Sequence, residues 1–117
     1  MVVYDKFVSE LTQARKNSLN AKKRLDDAMN SALLRGKAFD ELVIEHEIFT
    51  ALLGTNESLS VEVRENEEQL KLFFRCHASR MEKLKGNILG LYQDPHEVKR
   101  MLEVFGRLSY IFDNLAR

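Results

Sequence analysis

The sequence predicts an all-α fold, an elongated antiparallel helical bundle of coiled-coil character with about four helices of unequal length. Three observations predict it. Apolar and small residues recur at alternating threes and fours over long stretches, the spacing that keeps one stripe of a helix facing a partner. The composition is 44% hydrophobic and 31% charged, with one proline, five glycines and no Pro/Ser-rich stretch, which fits an ordered, helix-rich chain rather than a disordered one. A strong helix-start signal, Asp94-Pro95-His96-Glu97, stands in the last quarter. A length of 117 residues suits one domain, residues 1–117, large enough for one core but not for two.

The first helix is read over residues 3–34. Its ladder is Tyr4, Phe7, Leu11, Ala14, Ser18, Ala21, Leu25, Ala28 and Ala32. Arg35 falls on the next rung and Gly36 follows, so a turn is placed near Gly36. The ladder's phase is nevertheless kept across Gly36, which leaves a single helix of about fifty residues as the rival reading. The second helix, residues 38–53, carries Phe39, Leu42, His46, Phe49 and Leu53 and is closed by Gly54, with Gly54-Thr55-Asn56 as a loop. A third, residues 58–92, has Val63, Leu70, Phe74, His77, Met81, Leu84, Ile88 and Leu91 on one face. The fourth opens with Asp94 as cap, Pro95 at the first helical position and Glu97 three residues after the cap. It continues through Val98, Met101, Phe105, Leu108, Phe112 and Leu115. The two long helices, first and third, are expected to pair antiparallel, with the shorter two in their grooves.

Net charge is zero but unevenly spread: residues 1–36 sum to +3, 37–69 to −7 and 70–117 to +4. Between Glu10 and Asp26 the basic residues Arg15, Lys16, Lys22, Lys23 and Arg24 meet no acid, and such a stretch is suited to contact phosphates. The alternative is internal: a rim complemented by the acidic middle segment, with Lys22 to Asp26 and Lys23 to Asp27 spaced for local pairs. The aromatic or glycine-rich elements that accompany a dedicated nucleic-acid surface are missing beside the stretch.

Catalytic and metal chemistries find little support. Cys76 and His77 are adjacent, so on a helix they point about 100° apart and do not form a thiol–imidazole dyad. No glutamate stands three residues before His46, His77 or His96, and one cysteine does not build a structural zinc site. No glycine-rich phosphate loop follows a strand. The expectation is therefore no enzyme, no catalytic residues, no metal, no cofactor and no small-molecule substrate. His46 and His77 fall on apolar stripes, where a satisfied core histidine is the usual role, and if they faced each other they would form a pH-sensitive layer. The lone cysteine, the missing leader pattern and the lack of eighteen consecutive apolar residues lead us to expect a cytoplasmic protein without membrane insertion.

Leu84-Lys85-Gly86, followed by Asn87, resembles the His-x-Leu-Lys-Gly core of histidine phosphotransfer domains, four-helix bundles of about this size. The phospho-accepting position, two before Leu84, is Glu82 here, a departure that removes the chemistry. The size and helix order are similar to small cytoplasmic chaperones of flagellar and type III secretion substrates. That resemblance implies a groove shielding an amphipathic client helix, and fold likeness alone does not establish function.

The groove former is expected in the second helix, where Phe39, Leu42, Val43, Ile44, Ile48, Phe49, Leu52 and Leu53 cover more than one face. These are the candidate partner-binding residues, with deep core as the competing role. Tyr110 and Ile111 mark a second candidate patch. Ala14, Ser18, Ala21, Ala28 and Ala32 are candidate helix-contact positions: small rungs allow close approach but bury little area. The expected function is a non-enzymatic protein–protein interaction module, an adaptor, chaperone or assembly component that works through amphipathic helix packing. Its partner would be another protein or a second copy. The alternative is a nucleic-acid-binding accessory protein that uses the basic stretch.

Overall fold

The computed structural model describes residues 2–28 and 30–117, and it is all-helical there, with no strand. The helices are α1 (Val2–Asp27), α2 (Ala32–Ser58), α3 (Val61–Arg64), α4 (Glu67–Gly86), α5 (Ile88–Leu91) and α6 (Pro95–Leu115). Four are long and two are single turns, so the expected all-α bundle of about four helices holds.

The first boundary differs from expectation. The turn lies before Ser31, not at Gly36, and the fifty-residue helix is not formed. Ser31 is the reason: its hydroxyl accepts from the Leu34 N–H at 3.3 Å and starts α2, whereas an interior glycine such as Gly36 costs only about 1 kcal/mol relative to alanine. Asn30 and Ser31 together favour non-helical backbone more than Gly36 does. Met29 lies outside the described residues. The second boundary also moves. Gly54, Thr55 and Asn56 are helical, and none of the glycines has a positive φ. Thr55 Oγ1 donates to the Ala51 carbonyl at 2.8 Å and Ser58 Oγ to that of Gly54 at 2.9 Å, so polar residues that suggested a loop bond back into the helix.

The expected third helix is three. Ser60 caps α3 by accepting from Val63 N–H at 3.2 Å, and Asn66 caps α4 by accepting from Gln69 N–H at 3.1 Å. Asn87 divides α4 from α5. The fourth begins where expected, with the Asp94 carboxylate accepting from His96 N–H at 2.9 Å and Pro95 opening the helix.

The helices are arranged as two antiparallel hairpins. α1 packs along α2, tied by Tyr4 Oη donating to Asn56 Oδ1 at 3.2 Å near one end and by the Arg24–Glu41 ion pair near the other. α4 packs along α6, with Phe74 against Phe112 and Ser109 against Glu82. The hairpins then meet in parallel. Asp40 and Glu45 of α2 pair with Arg100 and Arg107 of α6, while Val3 and Phe7 of α1 meet Glu67 and Phe74 of α4. The expected antiparallel pairing of the first and third long helices is thereby corrected. α1 and α4 run parallel and meet lightly, around Val3 and Phe7 at the start of α1.

The core lies between the hairpins, on the side of the α2–α4 connection. Phe7, Ile48, Leu52, Leu70, Phe74 and Phe112 are completely or almost completely buried there. The Phe7 and Phe74 ring centroids are 5.0 Å apart, and Phe112 stacks on Phe74 at 6.0 Å. Burying each of these side chains stabilises the fold by roughly 1.5 to 3 kcal/mol. Toward the α1–α2 turn the contact is on small residues: Ala21 and Ala38 are buried there, outside the aromatic cluster.

Candidate functional site

α2 is apolar around most of its circumference, and the structure divides its residues between two sides. Ile48 and Leu52 are core, joined by the edge residues Ile44 and Ala51. On another side, Leu42 and Val43 line a groove with Ser18 and Leu19 of α1, Phe49 reaches it from the edge of the core, against which it also packs, and Arg15, Lys22 and His46 stand around it. A second hollow on the same face, nearer the turn, is lined by Leu25 and Asp26 of α1 and Ala32, Arg35, Gly36 and Phe39 of α2, and the two hollows together form the groove. Leu19 is 59% exposed and Phe39 51% exposed. Neither α4 nor α6 contributes to this lining: it is the free face of the first hairpin.

The eight candidate partner-binding residues therefore do not act as one surface. Ile48 and Leu52 belong to the core for a geometric reason, since they sit three and seven positions beyond Glu45 and share its inward face. Phe39, Leu42, Val43 and Phe49 share the groove. Leu53 is partly exposed but is not among the residues that line it. Sequence reasoning overlooked Leu19, Leu25 and Arg35 as groove residues. Leu19 lies one position past the Ser18 rung, and a large apolar residue beside a ladder of small ones was the available signal.

Among the helix-contact positions, Ala14 and Ala21 are buried and Ser18 is half-buried on the groove side. Ala28 lies in the turn and Ala32 is exposed at the start of α2, so the close contact ends earlier than the ladder suggested. The basic residues are not one patch. Arg15 and Lys22 flank the groove, Arg24 is held by Glu41 on the other side of the hairpin, and Lys16 and Lys23 lie between these directions. No ion pair of Lys22 or Lys23 with Asp26 or Asp27 is formed among the described residues.

His46 and His77 do not form a shared layer. His46 is exposed at the groove, whereas His77 stacks on Phe73 at 4.3 Å and meets Phe112 edge-on, its Nδ1 donating to the Phe73 carbonyl at 3.0 Å. Cys76 is free and exposed. Glu82 accepts a hydrogen bond from Ser109 Oγ at 2.8 Å beside a shallow α4–α6 cleft that includes Arg75, Gly106 and Tyr110. Tyr110 is exposed and Ile111 half-buried, so the second candidate patch is narrow. Among the described residues no three His, Cys, Asp or Glu side chains are grouped to hold a metal ion, and no helix is long and apolar enough to cross a membrane.

Glu45 and Arg107 are a pair the sequence did not signal. The Arg107 guanidinium donates to both Glu45 carboxylate oxygens, at 2.6 and 3.2 Å, across the α2–α6 seam. The hydrogen bond to Glu45 raises the Arg107 pKa above its ordinary value, with the nearby Glu45 and Glu103 charges adding to it and partial burial opposing. The pair joins α2 to α6 across the seam between the hairpins.

No protein-family model, curated protein or solved structure matches this chain. The functional reading rests on the geometry of the groove.

Proposed function

We propose that this chain is a non-enzymatic interaction module, an adaptor, chaperone or assembly component, that takes a partner in the groove between α1 and α2. The observation that carries this reading is the position of Leu19, Phe39, Leu42 and Val43: exposed and half-buried apolar side chains outside the core cluster, on one face of the first hairpin, with Phe49 reaching them from the core edge. A helix that needs only core packing keeps its other side polar. Apolar surface on the outside costs solubility unless something covers it.

The test is affinity capture of the tagged chain from its native extract, in nuclease-treated and untreated halves, with the parent compared with Leu19→Gln and Val43→Gln. These variants remove apolar groove surface without changing charge. A stoichiometric protein that survives nuclease and is lost with both variants supports the reading. Recovery that collapses with nuclease and falls steeply with salt would replace it by nucleic-acid binding through the basic stretch.

A further inference from the structure

The charges around the groove bear on what occupies it. We propose that the occupant is a helix of another protein, amphipathic, with acidic residues on the flanks of its apolar stripe. This rests on the groove reading above and adds the chemistry of the partner.

The shape comes first. Two antiparallel helices with an apolar seam leave a site that a third helix completes, its side chains entering between those of the pair. The α2 part of the lining, from Ala32 to Phe49, covers about 26 Å at 1.5 Å per residue, enough for a partner helix of four to five turns.

Charge then selects among helices. Arg15, Lys22 and Arg35 stand along the groove against a single lining acid, Asp26. None of these three cations makes an ion pair among the described residues. Acidic flanks on the incoming helix complement them, and basic flanks are repelled.

A second copy of the chain fits poorly. Groove on groove sets three cations against three. The exposed side of α4 carries Arg75, Arg80, Lys83 and Lys85 against Glu68 and Glu82, a net charge of the wrong sign. That of α6 offers only Leu102 and Tyr110 with Glu103 and Lys99 beside them, its Asp113 being held by Arg117. The acidic stretch around Glu57, Glu62, Glu65 and Glu68 contains only the single-turn helix α3 between the end of α2 and the start of α4, too short to fill the groove. Phosphates find cations there but also a floor of leucine, valine and phenylalanine that offers them no hydrogen bonds.

The experiment presents the full chain to a yeast-displayed library of 21-residue helices. The library has a fixed leucine stripe and flanks randomised among Glu, Lys, Gln and Ala. We expect enriched helices to carry more Glu than Lys on the flanks and to fail against Leu19→Gln and Val43→Gln. Their affinity should drop roughly tenfold or more for the Arg15→Glu/Lys22→Glu double variant, which should instead enrich Lys-flanked helices. Unchanged unfolding midpoints confirm that the variants are folded. Enrichment of neutral or basic flanks overturns the acidic partner while the groove reading stands. No groove-dependent enrichment at all overturns both. Sedimentation of the chain alone as a dimer that Val43→Gln dissociates overturns the foreign partner in favour of a second copy.

Discussion

Removing the two members of the Glu45–Arg107 pair should have unequal effects, and the inequality follows from their burial. The Glu45 side chain is 11% exposed, whereas that of Arg107 is 37% exposed. Arg107→Ala strands a nearly buried carboxylate that has lost both hydrogen bonds; breaking a buried pair costs about 3 to 5 kcal/mol, and the exposure of the guanidinium reduces this to roughly 2 to 3. Glu45→Ala leaves an arginine that can turn toward water, at about 1 kcal/mol. Replacing both by methionine removes two desolvation costs along with one attraction, and should fall within about 1 kcal/mol of the parent. The raised Arg107 pKa means that its contribution is complete below the ordinary arginine value and lost only as pH rises through the higher folded one, so this group adds no pH dependence from neutrality to pH 10. Urea unfolding followed by helical circular dichroism at pH 7 and pH 9 measures all three variants. Equal losses for the two single variants, or a double variant that loses their sum, would refute the argument.

Two further predictions concern backbone and close packing. At Gly36 and Gly54, both inside α2, an added Cβ meets nothing within 4 Å, so Gly36→Ala and Gly54→Ala should each stabilise the protein by about 0.5 to 1 kcal/mol, read as a raised urea midpoint. Ala21 is completely buried in the narrow part of the first hairpin, so Ala21→Leu should destabilise by about 1 to 3 kcal/mol and weaken capture of a groove partner; an unchanged midpoint would show that the helices are not in close contact there.

Helix type and core side chains were legible in the sequence because they depend on periodicity. Phe7, Leu70, Phe74, Leu108, Phe112 and Leu115 were placed on inward stripes and are buried. Asp94-Pro95 was legible because cap and proline act within one turn. The other boundaries were not. Gly36 and Gly54 were weighted as breaks although neither is opposed by packing, and Ser31, Ser60 and Asn66 were not weighted as caps although each accepts a backbone N–H. The pairing of helices was not legible either. A heptad stripe records that a helix has a partner but not which one, and the parallel seam is set by Asp40, Glu45, Arg100 and Arg107, charged residues that periodicity ignores. For the groove, the width of the apolar surface on α2 was visible while its division was not. Val43 and Ile44 are neighbours in sequence, yet Val43 lines the groove while Ile44 packs against the core.

The arrangement of two hairpins joined by a parallel seam also orders the chain in time. Within each hairpin the packed helices are consecutive or nearly so, and such local pairings close at little entropic cost. The seam is different, since Glu45 and Arg107 are 62 residues apart. Each hairpin can therefore zip up before the two dock, and the reverse path opens first along the seam. The two hairpins share one core, the aromatic cluster between them, and are joined further by the Asp40–Arg100 and Glu45–Arg107 pairs, so amide exchange should find the seam residues opening before the hairpins themselves. The groove lies on α1 and α2 alone, on the far side of the first hairpin from that seam, so a partner docked there would leave the docking of the two hairpins untouched.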